Sequence, residues 1–391
     1  MKKAMAVAVM LLFGLSILTI PVFAGAKSTE PRAGPRDEAT PDGLYWCNDR
    51  RLTDMPSEDR IPQIVVDSVG ISHVIWFRGG SYSGQYMYKK IGRLGDELIA
   101  EKTIASGTIP EQYSGFVSPS IGIDSKSNFH IIMEPSGYGV AYAKFDANGN
   151  NLVPQKTVPS GASGPRNPSI AVSRNDIVHV IYEDYRFGYG AEAITYARLL
   201  NDGTIDKDGV RISEATWYCE GSTLVCDYNN NIHATFINTA QGVYHGKLDN
   251  FGNPLPQAPP TYLYKSGSFW TDGPPYVGAD GTGGIHIIWS DKPMGIGNLK
   301  YMKLDNNGNK LASGPDGMGI PLTTSATCKG FPFIAGDSRG NAYAIWSDVR
   351  NGNPQIFYVK LEPGLENDTN LPNKAICLTK DTSGSAVEPK V

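Results

Sequence analysis

A fifteen-residue pattern recurs six times along this chain, and an internal repeat of that kind restricts the possible fold more than any other feature of a sequence. The copies are "PQIVVDSVGISHVIW" from Pro62, "PSIGIDSKSNFHIIM" from Pro119, "PSIAVSRNDIVHVIY" from Pro168, "STLVCDYNNNIHATF" from Ser222, "PYVGADGTGGIHIIW" from Pro275 and "PFIAGDSRGNAYAIW" from Pro332. Successive starts are 57, 49, 54, 53 and 57 residues apart, so the pattern is constant and the insertions fall in loops. Within each copy apolar residues alternate (Ile64 and Val66, Ile121 and Ile123, Ile170 and Val172), a turn of Gly, Asn or Asp follows, and a second apolar run begins. That is the signature of a β-hairpin.

A second signature follows each hairpin: "YKKI" at 88, "YAKF" at 142, "YARL" at 196, "HGKL" at 245, "YMKL" at 301 and "YVKL" at 358. Behind most copies come turns such as "DANGN", "NDGT", "DNFGN" and "DNNGN", in which Asn and Asp tolerate left-handed backbone and Gly supplies positive φ. A weaker fourth strand then ends in "PLTT" or "ICLT". Four antiparallel strands per unit of about 50 residues, repeated six times, predict an all-β, six-bladed β-propeller over residues 45–391. A seventh blade is the alternative count. "RRLTD" before the first copy reads as a fourth strand, and "AICLTKDTSGSAVEPKV" as a fourth strand plus the opening of another unit. One of these is expected to close the ring by completing a blade begun at the other end.

The repeat also places the histidines. His73, His130, His179, His233 and His286 each lie eleven residues after their copy's first position, Tyr343 takes that place in the sixth, and His245 replaces the third-strand tyrosine. Metal ligands must converge to about 2 Å from one ion, whereas equivalent positions on separate blades are held apart by the ring. No metal and no cofactor is therefore expected. Each histidine follows an acid or hydroxyl by six residues (Asp67, Asp124, Ser173, Asp227, Asp280), which predicts a structural bond across the hairpin. The Asp- and Asn-rich turns lack the spaced acids and terminal Glu of a calcium loop.

Cys226 occupies a strand position held elsewhere by Val66, Ile123, Val172 and Ala279, and is expected to be a buried, inert thiol. Cys47 and Cys377 lie near the two termini, where a bridge would tie the ring. Cys219 and Cys328 fall two blades apart, too far for a disulfide.

Residues 1–26, "MKKAMAVAVMLLFGLSILTIPVFAGA", have two lysines, an apolar run and a small-residue end, the build of a signal peptide. Residues 27–44 are polar and rich in Pro and Gly, and read as a linker. The net charge is −4, and removal of Lys2 and Lys3 takes it to −6. A mildly acidic protein without a basic run is not a nucleic-acid binder. A secreted or cell-surface location follows, with no membrane insertion after cleavage.

The sixfold pattern of proline, alternating apolars, Asp turn, "H-V-x-W" and "Y-x-K-L" resembles the sialidase-like propellers, including secreted proteins with bacterial neuraminidase-type repeats. Enzymes of that family clamp a substrate carboxylate with three arginines, one in an Arg-Ile-Pro motif, and pair a tyrosine nucleophile with a glutamate, with an aspartate as acid or base. "DRIPQI" carries over only Arg60. The family's Asp box is missing, since plain "DxxGN" turns stand in its place.

In a propeller the loops joining second to third strands and those between blades emerge on one face. Here they gather Arg78, Arg166, Arg186 and Arg350, the acids Glu183, Asp184, Asp291 and Asp348, and the aromatics Tyr113, Tyr185, Trp217 and Trp270. Two functions fit. The first is a non-catalytic module that binds a glycan or an extracellular protein through this face, consistent with the absence of any Ser-His-Asp, metal or phosphate-loop constellation. The alternative is a sialidase-like glycoside hydrolase acting on acidic sugars, with Arg60 as clamp and Asp184, Asp291 or Asp348 as acid or base. Three arginines converging beside a Tyr–Glu pair favour the enzyme; scattered arginines favour the binder.

Overall fold

The computed structural model describes residues 52–379, except 54–58, 81–82, 108–118, 136–138, 159–163, 187–191, 215–217, 240–241, 256–259, 266–273, 292–296, 326–331, 365–367 and 369. The expected leader, the linker, Cys47, Tyr113, Trp217, Trp270, Cys328 and the terminal "EPKV" lie outside the described residues.

Six antiparallel sheets stand in a ring, each built from one contiguous segment. Blade 1 comprises β1 (Asp59–Val66), β2 (Ser72–Gly80), β3 (Ser83–Ile91) and β4 (Glu97–Gly107). Blade 2 comprises β5 (Ser120–Ile123), β6 (Phe129–Met133), β7 (Ala141–Phe145) and β8 (Asn151–Thr157). Blade 3 comprises β9 (Arg166–Val172), β10 (Val178–Asp184), β11 (Ala193–Leu199) and β12 (Ile205–Arg211). Blade 4 comprises β13 (Cys219–Cys226), β14 (Ile232–Asn238), β15 (Gly242–Leu248) and β16 (Thr261–Lys265).

In blade 5, β17 (Tyr276–Ala279), β18 (Ile285–Ser290) and β19 (Leu299–Leu304) are flanked by a broken outer strand, β20 (Lys310–Ala312) and β21 (Ile320–Pro321), both paired to β19. Blade 6 comprises β22 (Phe333–Gly336), β23 (Ala342–Asp348), β24 (Gln355–Leu361) and β25 (Ile376–Cys377). The described ends exchange no strand. "ICLT" completes its own blade through β25, and blade 1 has its own fourth strand in β4, so Leu52 instead accepts a hydrogen bond at its carbonyl from Lys89 Nζ, at 2.9 Å.

The first strands of successive blades lie against one another (β1–β5, β5–β9, β9–β13, β13–β17, β17–β22) and line the ring's axis. Where they approach most closely the side chain has to vanish: a Cβ at Gly278 would stand 2.8 Å from the Ile334 carbonyl oxygen. The core fills the spaces between neighbouring sheets. One cluster joins Ile75, Phe77, Tyr86 and Tyr88 of blade 1 to Ile121, Phe129 and Ile131 of blade 2, and another joins Tyr276, Ile288 and Tyr301 of blade 5 to Ala344, Trp346 and Phe357 of blade 6.

The histidines form one buried relay per blade. His Nδ1 meets the third-strand ring across the ladder: Tyr88 Oη at 3.0 Å from His73, Tyr142 Oη at 2.7 Å from His130, Tyr196 Oη at 2.8 Å from His179, Tyr301 Oη at 2.9 Å from His286, and His245 Nε2 at 2.9 Å from His233. On the other side, Nε2 faces the expected turn group: Asp124 at 3.4 Å, Ser173 at 3.2 Å, Asp227 at 3.3 Å, Asp280 at 3.0 Å, and Asp67 at 3.7 Å. In the sixth blade Tyr343 donates directly to Asp337, at 2.9 Å. Burial, reinforced by Lys90, pulls His73 down to about 4, and burial with Arg198 pulls His179 down to about 3, so these two rings are neutral at pH 7. The first oxygen of each turn Asp is taken up by backbone, as at Asp124 Oδ1, which accepts N–H bonds from Lys126 and Asn128 at 2.9 Å.

The third-strand signature also locks each of blades 1 to 4 to the next. Its aromatic ring packs on the positive-φ glycine of the following blade's turn: Tyr88 on Gly149, Tyr142 on Gly203, Tyr196 on Gly252 and His245 on Gly308. Its basic residue donates to a carbonyl of that same turn, Lys144 to Asn201 at 3.1 Å, Arg198 to Asn250 at 3.0 Å, and Lys247 to Asn306.

Cys226 is half-buried and packs against the edge of the blade 3–blade 4 core, where burial pushes its thiol pKa up. Cys219 is buried and unbridged, with its thiol pushed up to about 12 by burial.

Two outcomes test this interlock. Replacing Gly252 (φ +73°) by Ala puts a Cβ 2.1 Å from the Tyr196 ring, whereas Gly95 (φ +78°) has open space around it. Both variants bear the left-handed penalty of about 1 kcal/mol, and Gly252→Ala is expected to cost at least about 1 kcal/mol more in urea unfolding; equal losses contradict the packing. His130→Phe leaves Tyr142 and Asp124 without their shared partner and is expected to cost about 2–4 kcal/mol, with unchanged stability as the contrary result.

Candidate functional site

The starts of first and third strands and the ends of second strands share the loop-bearing end of the ring, and an acid-rich cluster is built there from blades 2, 3 and 4. A local backbone device prepares it. In β9 the pairing with β10 slips between Arg166 and Ser169, and in β13 the pairing with β14 slips between Glu220 and Thr223. Each bulge places the next residue in left-handed backbone, Asn167 at φ 48° and Gly221 at φ 58°. A bulge re-aims backbone groups, and here both amides turn onto carboxylates. Asn167 N donates to Glu134 Oε1 and Gly221 N to Glu183 Oε1, each at 2.7 Å. Blade 1 repeats the device, with a slip after Arg60 and Ile61 at φ 50°, so Arg60, Arg166 and Glu220 occupy one equivalent slot.

Glu183, one residue before the end of β10, is the hub. It accepts from Arg166 Nε at 2.9 Å, Asn167 Nδ2 at 2.8 Å and Gly221 N, and so ties blade 3 to blade 4. Arg166 NH2 turns to Glu192 at 2.7 Å, and its guanidinium lies 5.2 Å from the Tyr185 ring centre. Tyr185 hydrogen-bonds Tyr218, and both hydroxyls reach the Glu192 carboxylate. The two tyrosines are half-buried, whereas Glu134, Glu183 and Glu192 are fully enclosed and Glu220 keeps 7% of its surface.

Four carboxyl groups thus surround one guanidinium. Burial raises Glu183 well above the usual carboxylate range, reinforced by Glu192. Burial likewise lifts Glu134 to about 7, against the Asn167 amide and Arg166, and lifts Glu220 to about 7, with Glu192 adding to the effect. Burial raises both tyrosine hydroxyls, Tyr218 to about 12. Such a cluster can donate and accept hydrogen bonds at neutral pH and can gain negative charge when a cation arrives.

Of the described residues read from the loops, Arg166, Glu183 and Tyr185 meet in this cluster. Arg78, Arg186, Arg350, Asp184, Asp291 and Asp348 are engaged elsewhere. Successive strand residues point to opposite faces, so Asp184 leaves the cluster and pairs with Arg186, whose NH2 also donates to Tyr182 Oη at 3.1 Å. Asp348 pairs with Arg350 at 2.6 Å and accepts from Trp346 Nε1 at 3.0 Å. Asp291 accepts the Asn298 amide at 2.7 Å. Asp184, Asp291 and Asp348 share one repeat position, and each ties down its own second-to-third-strand loop. Arg78 is held between Asp59, at 2.7 Å, and Glu101, at 2.8 Å. Among the described residues no group of three or more His, Cys, Asp or Glu side chains has the arrangement of a metal site.

Glu134, Glu192, Tyr218 and Glu220 are the members the sequence reading missed. Two carried a signal in the repeat: Glu220 stands in the slot of Arg60 and Arg166, and Glu134 and Glu183 both stand four residues after their blade's histidine.

Comparison with known proteins shows likeness in fold. No family model matches the chain, and no curated protein matches it in sequence. Solved structures do match. A protein of unknown function from Dyadobacter fermentans superposes with a TM-score of 0.54 at 9% identity, over 78% of this chain and 95% of that one. AofleA from Arthrobotrys oligospora gives 0.50 at 9% identity, over 85% and 91%. A Hadza microbial sialidase gives 0.49 at 8% identity, over 74% of this chain and 63% of the sialidase, so this chain spans less than two thirds of that enzyme. At 9% identity the likeness to the first two is one of fold alone.

The cluster's electrostatics give a stability test. A carboxyl raised in the folded state binds its proton more tightly there than in the unfolded chain, so stability falls as pH rises from about 4.5 to about 7 and stays reduced above. Glu134→Gln removes that penalty, and its amide oxygen still accepts from Asn167. The variant is expected to be about 1–3 kcal/mol more stable than the parent at pH 8, with the gain shrinking towards pH 5; denaturation at the two pH values that shows no difference in gain contradicts the assignment.

Proposed function

We propose that this chain is a secreted or surface-tethered β-propeller that binds a glycan through its loop-bearing face and performs no chemistry of its own. The carrying observation is that Arg78, Arg166, Arg186 and Arg350 are each bonded to carboxylates of their own blade, so these four arginines form no joint clamp for an acidic sugar. What the face offers instead is a set of rigid carboxyl groups beside two tyrosine rings, a chemistry suited to sugar hydroxyls and to the apolar faces of sugar rings. The leader-like segment 1–26 supports export, and no helix among the described residues is long and apolar enough to cross a membrane.

A glycoside hydrolase is the second reading, favoured by one arrangement: Tyr185 and Tyr218 bonded to Glu192 beside Arg166 form a tyrosine–glutamate pair of the kind the resemblance calls for. Against it, the aspartates read as acid or base are engaged as loop ties.

A glycan array probed with residues 27–391 separates these. The binding reading expects retention of at least one glycan class without release of product. Acidic glycans held by the parent, lost on Arg60→Ala and turned over in solution would establish the hydrolase, and silence across every class would remove the glycan reading.

A further inference from the structure

The acid cluster has more carboxyl groups than the fold satisfies. Glu134 Oε2 is fully buried and has no hydrogen-bond partner, although its other oxygen accepts the Asn167 amide. Glu220 is 93% enclosed, makes no ion pair among the described residues, and has the Glu192 carboxylate acting on it as a like charge. One guanidinium, Arg166, pairs directly with Glu183 and Glu192 and acts on Glu134 and Glu220 by longer-range attraction. A buried carboxyl without a partner costs free energy in the empty protein, and the group that removes that cost is a cation with hydrogen-bond donors. Tyr185 and Tyr218, half-buried beside Glu192, place two ring faces and two hydroxyls against whatever brings it.

We propose that the cluster binds the protonated amino group of an amine-bearing sugar, with Glu220 as its counter-ion, Glu134 adding negative charge from across Arg166, and Tyr185 and Tyr218 against the sugar ring. This rests on the glycan-binding reading and names its ligand class. A metal ion fits less well, because among the described residues no three His, Cys, Asp or Glu side chains are arranged as its ligands. The amino group supplies three donors of its own, and a free ammonium is matched to oxygens at hydrogen-bond distance.

The test is calorimetric titration at pH 7 and physiological salt with glucosamine and its β-linked oligomers, with their N-acetylated counterparts, and with methylammonium as the bare cation. The amine-bearing sugars are expected to bind at least tenfold more tightly than the acetylated ones. Glu220→Gln is expected to abolish that preference and Glu134→Gln to weaken it, both with the circular dichroism of the parent. Binding is expected to release protons, read as a buffer-dependent heat, because the arriving cation lowers the affinity of Glu134 and Glu220 for theirs.

Equal affinity for the two sugar forms, or a preference that survives Glu220→Gln, overturns the inference and leaves the glycan reading standing. Methylammonium binding that depends on Glu220, without affinity for any sugar, keeps the cation site and overturns the glycan reading. No binding of any probe overturns both.

Discussion

The contact on which the ring depends is the seating of the third-strand aromatic of blades 1 to 4 on the left-handed glycine of the next blade's turn. It joins three demands in one place. The turn needs positive φ, the ring needs a flat surface without a Cβ, and the histidine of its own blade needs the ring's hydroxyl as a partner. The basic residue two places on closes the arrangement with a bond to the same turn, at Lys144, Arg198 and Lys247. Registration between blades is therefore set by directional polar contacts as well as by apolar packing, which by itself is non-directional. Repeat proteins draw their stability from such nearest-neighbour interfaces.

That interlock lies at the end of the ring where first hairpins and third-to-fourth-strand turns emerge, and it leaves the opposite end free to carry unfavourable chemistry. There the bulges of β9 and β13 aim backbone amides at Glu134 and Glu183, and the blades hold four carboxyl groups around Arg166. The cluster works against stability at neutral pH, whereas the relays beneath it are satisfied. Local conflicts of this kind in an otherwise consistent structure mark the places where a protein does its work. The histidine relays show the converse. An Asp–His–Tyr chain has the look of a proton-transfer device, yet it is repeated in several blades, buried, and spent on holding hairpins together.

Much of the architecture was legible because the repeat supplied six readings of one pattern. Alternation gave the hairpins, the turns gave the blade count, and the alignment removed the histidines from the list of ligands. Two features were not legible. The role of the "Y-x-K-L" tyrosine as both histidine partner and inter-blade wedge depends on the neighbouring blade, and a single copy does not show its neighbour. The closing strand is the second: "ICLT" pairs within its own blade as β25, and most of "RRLTD" lies outside the described residues. At the site, Arg166, Glu183 and Tyr185 were found by their loops. Their partners Glu134, Glu192, Tyr218 and Glu220 come from three blades and meet only once the ring is closed.

The central claim is that the fold holds glutamates at the loop-bearing end in partly protonated form, ready for a cation. Carbon-13 NMR of the glutamate side-chain carboxyls, titrated from pH 4 to pH 9 and assigned with Glu134→Gln and Glu220→Gln, tests it directly. The account predicts two carboxyls with midpoints near 7 that move down when glucosamine is added. Midpoints of 4 to 5 for every glutamate, unmoved by glucosamine, would contradict it.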